Sequence, residues 1–336
     1  MKVFMIGGTG LLGSEAARIL LQRGHQVVSL ALPPVPEGFA VPGMELSLGN
    51  FLTMTDAELL AAMAGCEGFV YAAGVDERVE YPPPVYAQYD KYNIQPVRRL
   101  LGLAKQAGVK HAVVLGSYFS YFARLWPHKE LTRWHPYIRS RIEQEDVALS
   151  FAEEGFDVSV LQLPYIFGAQ PGRKPVWVFL VKIIRSMPLA TFYPAGGTVM
   201  VTVRQVGEAI AGAVERSRGA KLWPIGWHDL TWRQMFTLMH KHLGMPGRKV
   251  VTVPRWMFAL SARFLMRSQR RHNIEGGLDL VQFTDMMCRE LFIDRELGSI
   301  PLGVTQDDID AAIGQSMRAS SESMEAAGKA LDMRGE

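Results

Sequence analysis

The chain opens on an unbroken apolar run, Val3 to Ile6, the pattern of a short strand buried on both faces. "SEAARILLQRG" follows with apolar residues at helical spacing and stops at Gly24, and "HQVVSLAL" predicts a second strand. "MELSLGNF" predicts a third strand ending at Asn50 and Phe51, and "DAELLAAMAGC" an amphipathic helix. "GFVYAAG" predicts a fourth strand that ends in small residues, Ala72 to Gly74. A helix over "YDKYNIQPVRRLLGLAKQAG" carries Asn93, and "KHAVVLGSYFSYF" predicts a fifth strand running into a Ser- and Tyr-rich turn. "YIRSRIEQEDVALSFAEEG" predicts a helix and "DVSVLQLPYIFG" a sixth strand. Strands alternating with helices imply an α/β fold with a parallel, doubly wound sheet. Ligands of such sheets bind beyond the carboxyl ends of the strands, the edge where the first turn, Ala73, Ser117 and the segment after Phe167 would lie.

That first turn holds Gly7, Gly8, Gly10 and Gly13, which satisfy both G-x-G-x-x-G and G-x-x-G-x-x-G. Placed between a strand and a helix, the glycines have a physical purpose. One permits a tight turn, one leaves bare backbone for a pyrophosphate, and one lets the helix pack on the strand. The helix N-terminus then offers free N–H groups and the positive end of its dipole. The end of the second strand, which chooses between NAD and NADP by an acid or a nearby arginine, falls at about Ala31 and carries neither. The choice of cofactor stays open.

Composition narrows the class. The 336 residues are 48% hydrophobic and 21% charged, room for a large domain and a smaller lobe. A net charge of +3 with no dense basic stripe argues against nucleic acid. Cys66 and Cys288 lie far apart and read as reduced thiols. No CxxC or HExxH spacing implies a metal. There is no signal peptide pattern and no apolar run long enough for an integral membrane segment, so a cytoplasmic location is expected.

From about residue 168 the pattern changes to segments rich in Trp, Phe and Met, with a helix N-cap at Thr231. These favour an apolar small-molecule substrate, although such stripes also serve as core. The basic run 255–271 reads either as a helix with a solvated face or as one that touches a membrane surface. Arg173 could meet an anionic substrate group or pair with a surface acid. The end of the chain, 319–336, is polar and reads as a frayed helix or disordered tail.

Several stretches together resemble the extended short-chain dehydrogenases/reductases, the NAD(P)-dependent epimerases, dehydratases and 3β-hydroxysteroid-dehydrogenase-like enzymes. They are "GGTGLLG" at 7–13, "YAAG" at 71–74, Asn93 before "AKQAGVKHAVVLGS", "YIRSR" at 137–141, "LPYIFGAQPGR" at 163–173 and the later "VTVRQVGEAIAGAVE". The resemblance implies a Rossmann-type lobe over 1–167 with a return segment near 198–226. It also implies a smaller C-terminal substrate lobe from 168–197 and 227–318. NAD or NADP would be held by Gly7, Gly10, Leu11, Leu12, Gly13, Ala31, Asn50, Phe51, Ala72, Ala73, Gly74, Pro164 and Ile166, with Tyr137 and Arg141 at the nicotinamide ribose. Tyr137 would be the general acid/base, with the hydroxyl of Ser117, or second Ser120, holding the substrate oxygen and Asn93 in support.

The family has lysine where this chain has Arg141. Residues four apart share a helix face, so Arg141 can lie beside Tyr137 and favour its phenolate, pulling the pKa down from about 10. The planar fork of arginine is nevertheless not interchangeable with an ammonium group. Three readings follow. Tyr137 works with Arg141 in place of lysine, or the protein is a dinucleotide-binding regulator without turnover, or Tyr118, His128 or His135 moves the proton. The leading expectation is NAD(P)-dependent oxidation or reduction of a hydroxyl/carbonyl on a fairly apolar small molecule. Epimerisation or dehydration of a sugar nucleotide through a keto intermediate would use the same site. A homodimer is left open.

Overall fold

Seven parallel strands form the main sheet of the computed structural model, which describes residues 1–170, 173 and 175–325. Their order is Glu45–Leu48, Gln26–Ala31, Lys2–Ile6, Gly68–Tyr71, His111–Ser117, Asp157–Leu163 and Ala220–Pro224. The order reverses at Lys2–Ile6, so a crevice opens at the carboxyl end of this strand and its neighbour Gly68–Tyr71. The sheet is the Rossmann-type α/β arrangement, with its seventh strand contributed by the segment that returns after residue 197.

Side-chain alternation decides which helix covers which face. Val3, Met5, Val70, Val113 and Leu161 bury against the helices Leu11–Gln22 and Val203–Arg216. Phe4, Ile6, Phe69, Ala112 and Val158 point the other way, onto Asp56–Met63 and Gln95–Gln106. Every strand of the sheet's centre is apolar on both faces because both faces are covered. A third, more aromatic core joins the carboxyl side of the sheet to the later part of the chain. There Gly197–Thr202 pairs with Tyr165–Phe167, His228–Thr231 and Glu290–Leu291, and Ala190–Pro194 pairs with Lys249–Val253.

The structure departs from the sequence pattern at four places. The third strand ends at Leu48, and Asn50 and Phe51 belong to a turn in which Leu52 N–H donates to Asn50 Oδ1 (3.0 Å). "YFSYF" is the start of a helix, Tyr118–Leu125, because Ser117 caps it by accepting from Phe119 N–H. The helix bearing Asn93 is a π-turn, Asp90–Ile94, set between the helical stretches Tyr86–Tyr89 and Gln95–Gln106. Lastly, the helix Ile309–Glu325 runs into the stretch expected to be tail, and Ser320 on it is buried. The rest of that stretch, 326–336, lies outside the described residues.

Candidate active site

The glycine turn is built for close approach. A Cβ on Gly13 would lie 2.1 Å from the Gly7 carbonyl oxygen, so only glycine lets the helix Leu11–Gln22 meet the end of the first strand. Gly7 has φ +89° and would press on the Ala72 carbonyl of the neighbouring strand end. Gly10 differs. It precedes the helix, and its added Cβ would meet only Gly7 O, at 3.2 Å. No side chain caps this helix and no acid stands in its first turn, so the N–H groups around Leu11 and Leu12 face the crevice with no anion of the chain's own. A bare cradle at an uncapped helix start is what a pyrophosphate requires.

Around that cradle the other expected positions take their places. Ala31 is buried at the strand end, its carbonyl accepting from Gly49 N–H, with exposed Leu32 after it. Asn50 spends its side-chain oxygen on its own turn, where it accepts from Leu52 N–H. Phe51 stands edge-on to Tyr71 at 6.0 Å. Pro164 and Ile166 flank the end of Asp157–Leu163, and the Ile166 carbonyl accepts from Trp177 Nε1. Arg173 reaches back over the glycine turn. Its guanidinium donates to the Thr9 carbonyl at 3.1 Å and stacks on Phe39, while its buried Nε has no partner and burial pulls its pKa down. No surface acid is its partner among the described residues; its described bond runs to the Thr9 carbonyl of the glycine turn.

The helix Pro136–Leu149 presents a polar inner face. Tyr137, Ser140, Arg141, Gln144 and Glu145 are all buried, at three- and four-residue spacing. Such a face is stable only if most of its polar atoms find partners, and of these five side chains only the Arg141 Nε is left buried without one. Ser140 Oγ donates to the Tyr137 carbonyl, and Glu145 is held by Ser120, Gln162 and Arg124. Arg141 donates to Val75 O (3.1 Å) and Gln144 Oε1 (2.8 Å), and Gln144 Nε2 donates to Asn93 O (2.8 Å). Asn93 completes the ring. Its Oδ1 accepts from Val75 N–H (2.8 Å) and its Nδ2 donates to Val75 O (3.0 Å). The small-residue strand end Ala72–Ala73–Gly74 is thereby pinned open: a Cβ on Gly74 would strike Asn93 Oδ1 at 2.6 Å.

Tyr137 is buried between Tyr89 (5.5 Å between ring centres) and Phe119 (6.4 Å). Burial pushes its phenol above the ordinary range. Arg141 and the neighbouring Ser117 hydroxyl pull the other way, and Glu77 and Asp76 add to the rise. The expected lowering by Arg141 is therefore present but outweighed, because a fully enclosed ring loses more hydration than one guanidinium returns. Ser117 and Tyr137 are brought together, whereas Ser120 is turned to Glu145 and away from the phenol. The other proton carriers considered are engaged or remote. The Tyr118 hydroxyl bonds Thr198 (3.0 Å), His128 is exposed in a 3-10 turn, and His135 Nδ1 accepts from Asp279 N–H.

Three features escape the sequence pattern. Asp76, Glu77 and Arg78 follow the fourth strand and enter the cleft; burial and the adjacent Asp76 raise the Glu77 carboxyl. Three successive charges directly after a small-residue strand end are the signal that would have marked them. Gln144 became visible only through its contacts. Gly277 lies so close to Tyr89 and Tyr137 that any side chain would clash, and its carbonyl accepts from Tyr137 N–H (3.0 Å). No cluster of potential metal ligands occurs among the described residues.

An uncapped helix behind a glycine cradle, facing a buried Tyr–Ser–Arg set across one sheet edge, defines a dinucleotide-dependent enzyme site on a Rossmann-type sheet. The chain belongs to the NAD dependent epimerase/dehydratase family, whose model matches residues 3–201, and it is an NAD(P)-dependent enzyme of the extended short-chain dehydrogenase/reductase type. A curated relative from Synechocystis sp., named "Putative dihydroflavonol 4-reductase", is 23% identical, covering 94% of this chain and 93% of its own. The crystal structure of gox2253 superposes with a TM-score of 0.73 at 19% identity, over 98% of this chain and 99% of that one. MoeE5 in complex with UDP-glucuronic acid and NAD gives 0.65 at 18% identity, over 96% and 100%. At such identities the two structures speak for the fold.

Proposed function

We propose that the protein reduces a carbonyl group of a fairly apolar small molecule, with Tyr137 as the proton donor. The observation that carries this reading is the buried phenol of Tyr137, held above its ordinary range by burial, with the Ser117 hydroxyl beside it and Arg141 over its ring face. When bound, NADH or NADPH supplies hydride to the carbonyl carbon. The Tyr137 hydroxyl gives its proton to the carbonyl oxygen, which the Ser117 hydroxyl helps to hold. Arg141 stabilises the phenolate left behind, and water restores the proton. A phenol that stays protonated at neutral pH suits an acid better than a base, which favours reduction over oxidation. The rings of Tyr89, Phe119 and Phe283 around this point favour an apolar substrate. The Leu11–Leu12 helix start and Gly10 would cradle the pyrophosphate, Arg173 would pair with it, and Asn93 with Gln144 would position Arg141 and the strand end. The name of the Synechocystis relative supports a carbonyl reduction.

The test is NAD(P)H oxidation against a panel of apolar ketones, with wild type and Tyr137→Phe. Removal of a general acid should lower kcat by about 10²–10⁴-fold while nicotinamide fluorescence shows cofactor binding kept. A Tyr137→Phe enzyme of undiminished turnover would remove Tyr137 from the chemistry. A wild type that binds cofactor and acts on no carbonyl would favour epimerisation or dehydration over net reduction.

A further inference from the structure

The helix Arg255–Arg271 buries one residue, Ala262. Phe258, Ala259, Met266 and Gln269, at helical spacing around Ala262, are half-buried and form its inner side. The side opposite is apolar as well. Trp256 (67% exposed), Leu260 and Phe264 (68% exposed) recur every four residues and face outward. A solvated surface helix places polar groups there. The apolar area continues across Pro254 onto the preceding strand pair, where the registered neighbours Phe192 and Val251 are also exposed. A patch of this kind marks a contact that is made in use.

Charge says what kind. Residues 255–271 contain five arginines and no Asp or Glu. Arg255 pairs with Asp285, but among the described residues Arg263, Arg267, Arg270 and Arg271 have no acidic partner. A second copy of the chain docking by this face would set these arginines against themselves, since a two-fold interface opposes identical surfaces. An anionic bilayer meets both demands at once. Its acyl boundary accepts Trp256, Leu260 and Phe264, and its headgroups accept the arginines, whose long stems can reach upward from a partly inserted helix.

We infer that the helix Arg255–Arg271, with Phe192 and Val251 beside it, is a docking surface for an anionic lipid bilayer. The protein lies on the membrane through it and does not span it; no described helix is long and apolar enough to cross. The position has a consequence for the site. Phe258, on the inner side of the helix, packs on Tyr193 (5.7 Å), Tyr193 on Trp232 (5.6 Å), Trp232 on Tyr165 (5.7 Å) and Tyr165 on Tyr118 (6.3 Å). A continuous aromatic path thus runs from beneath this helix to Tyr118, whose neighbour Phe119 (4.5 Å) stands against Tyr137. The inference stands whether or not Tyr137 is the proton donor.

Flotation of the purified full chain with vesicles tests it, using phosphatidylcholine alone and phosphatidylcholine with phosphatidylglycerol. Wild type should bind the anionic vesicles at least tenfold more strongly, and lose binding in high salt. The triple variant Trp256→Ser, Leu260→Ser, Phe264→Ser should lose at least tenfold. Changing Arg263, Arg267, Arg270 and Arg271 to Gln should weaken binding by about fivefold per arginine. All these side chains are exposed, so melting temperature and cofactor binding serve as controls that should not move. Failure of wild type to float with anionic vesicles, or undiminished flotation of the triple variant, overturns the inference. So does a wild-type dimer that the triple variant splits without any vesicle binding, which would make a second copy the occupant.

Discussion

The guanidinium of Arg141 lies 5.0 Å from the centre of the Tyr137 ring, over its face, and is held there by Val75 O and Gln144 Oε1. Two distinct sites on one fork are used for structure, which leaves the charge fixed against the phenol. A lysine has one nitrogen on a flexible stem and cannot occupy both positions.

Arg141→Lys should therefore lower stability even though it keeps the positive charge. Leaving Gln144 Oε1 unpartnered costs about 1–3 kcal/mol, read as a lower urea midpoint with unchanged slope. NAD(P)H binding should survive, because the positive charge remains. Equal midpoints for the two proteins would show that the Arg141–Gln144–Asn93 ring carries no stability.

Two glycines of the first turn should separate folding from binding. Gly13→Ala places a methyl 2.1 Å from Gly7 O and must shift backbone, so it should lose both stability and cofactor. Gly10→Ala meets only a 3.2 Å contact and should melt within a few degrees of wild type. Its methyl would stand in the cradle, and NAD(P)H affinity should fall at least tenfold. A Gly10→Ala protein with normal affinity would place the phosphates elsewhere.

Much of the Rossmann-type lobe was legible because its strands are apolar on both faces and its helices on one. The cradle was legible because close approach demands glycine at fixed spacing. What the pattern hid depended on partners distant in sequence. By pattern alone Asn93 reads as a surface amide, and only the resemblance gives it a supporting place; its bonds with Val75 and Gln144 appear only in the fold. The polar inner face of Pro136–Leu149 has no periodic apolar signal, since its burial is sustained by hydrogen bonds. Ser117 reads as the entrance to a turn, and only its capping bond makes a helix of "YFSYF". The pKa of Tyr137 was expected to fall because the sequence shows the cation beside it and not the burial around it.

Glu77 offers a pH signature of the cleft. Its carboxylate raises the Tyr137 phenol, so Glu77→Gln should lower it and bring the alkaline fall of kcat/KM to lower pH. The sign follows from charge: an anion nearby disfavours phenolate, and a neutral amide does not. Profiles of wild type and variant that superpose on the alkaline side would mean that Glu77 or Tyr137 does not set that limb.

His135 should make the fold sensitive to mild acid. It is fully buried against Phe283, its Nδ1 accepts from Asp279 N–H at 3.1 Å, and its buried Nε2 has no partner. Burial pulls its pKa from 6.5 to about 4. The unfolded chain then binds the proton that the folded chain refuses, so stability contributed by the neutral ring is full above pH 6.5 and is lost as pH falls toward 4. The whole loss is on the order of 3 kcal/mol. Carboxylates titrate below this window for the most part, so the comparison is with His135→Asn, whose amide can accept the Asp279 bond and does not titrate. Urea midpoints measured between neutral pH and pH 4.5 should fall more steeply for wild type than for the variant. Parallel lines would mean that the imidazole is protonated without cost, and that the pocket around Phe283 admits water.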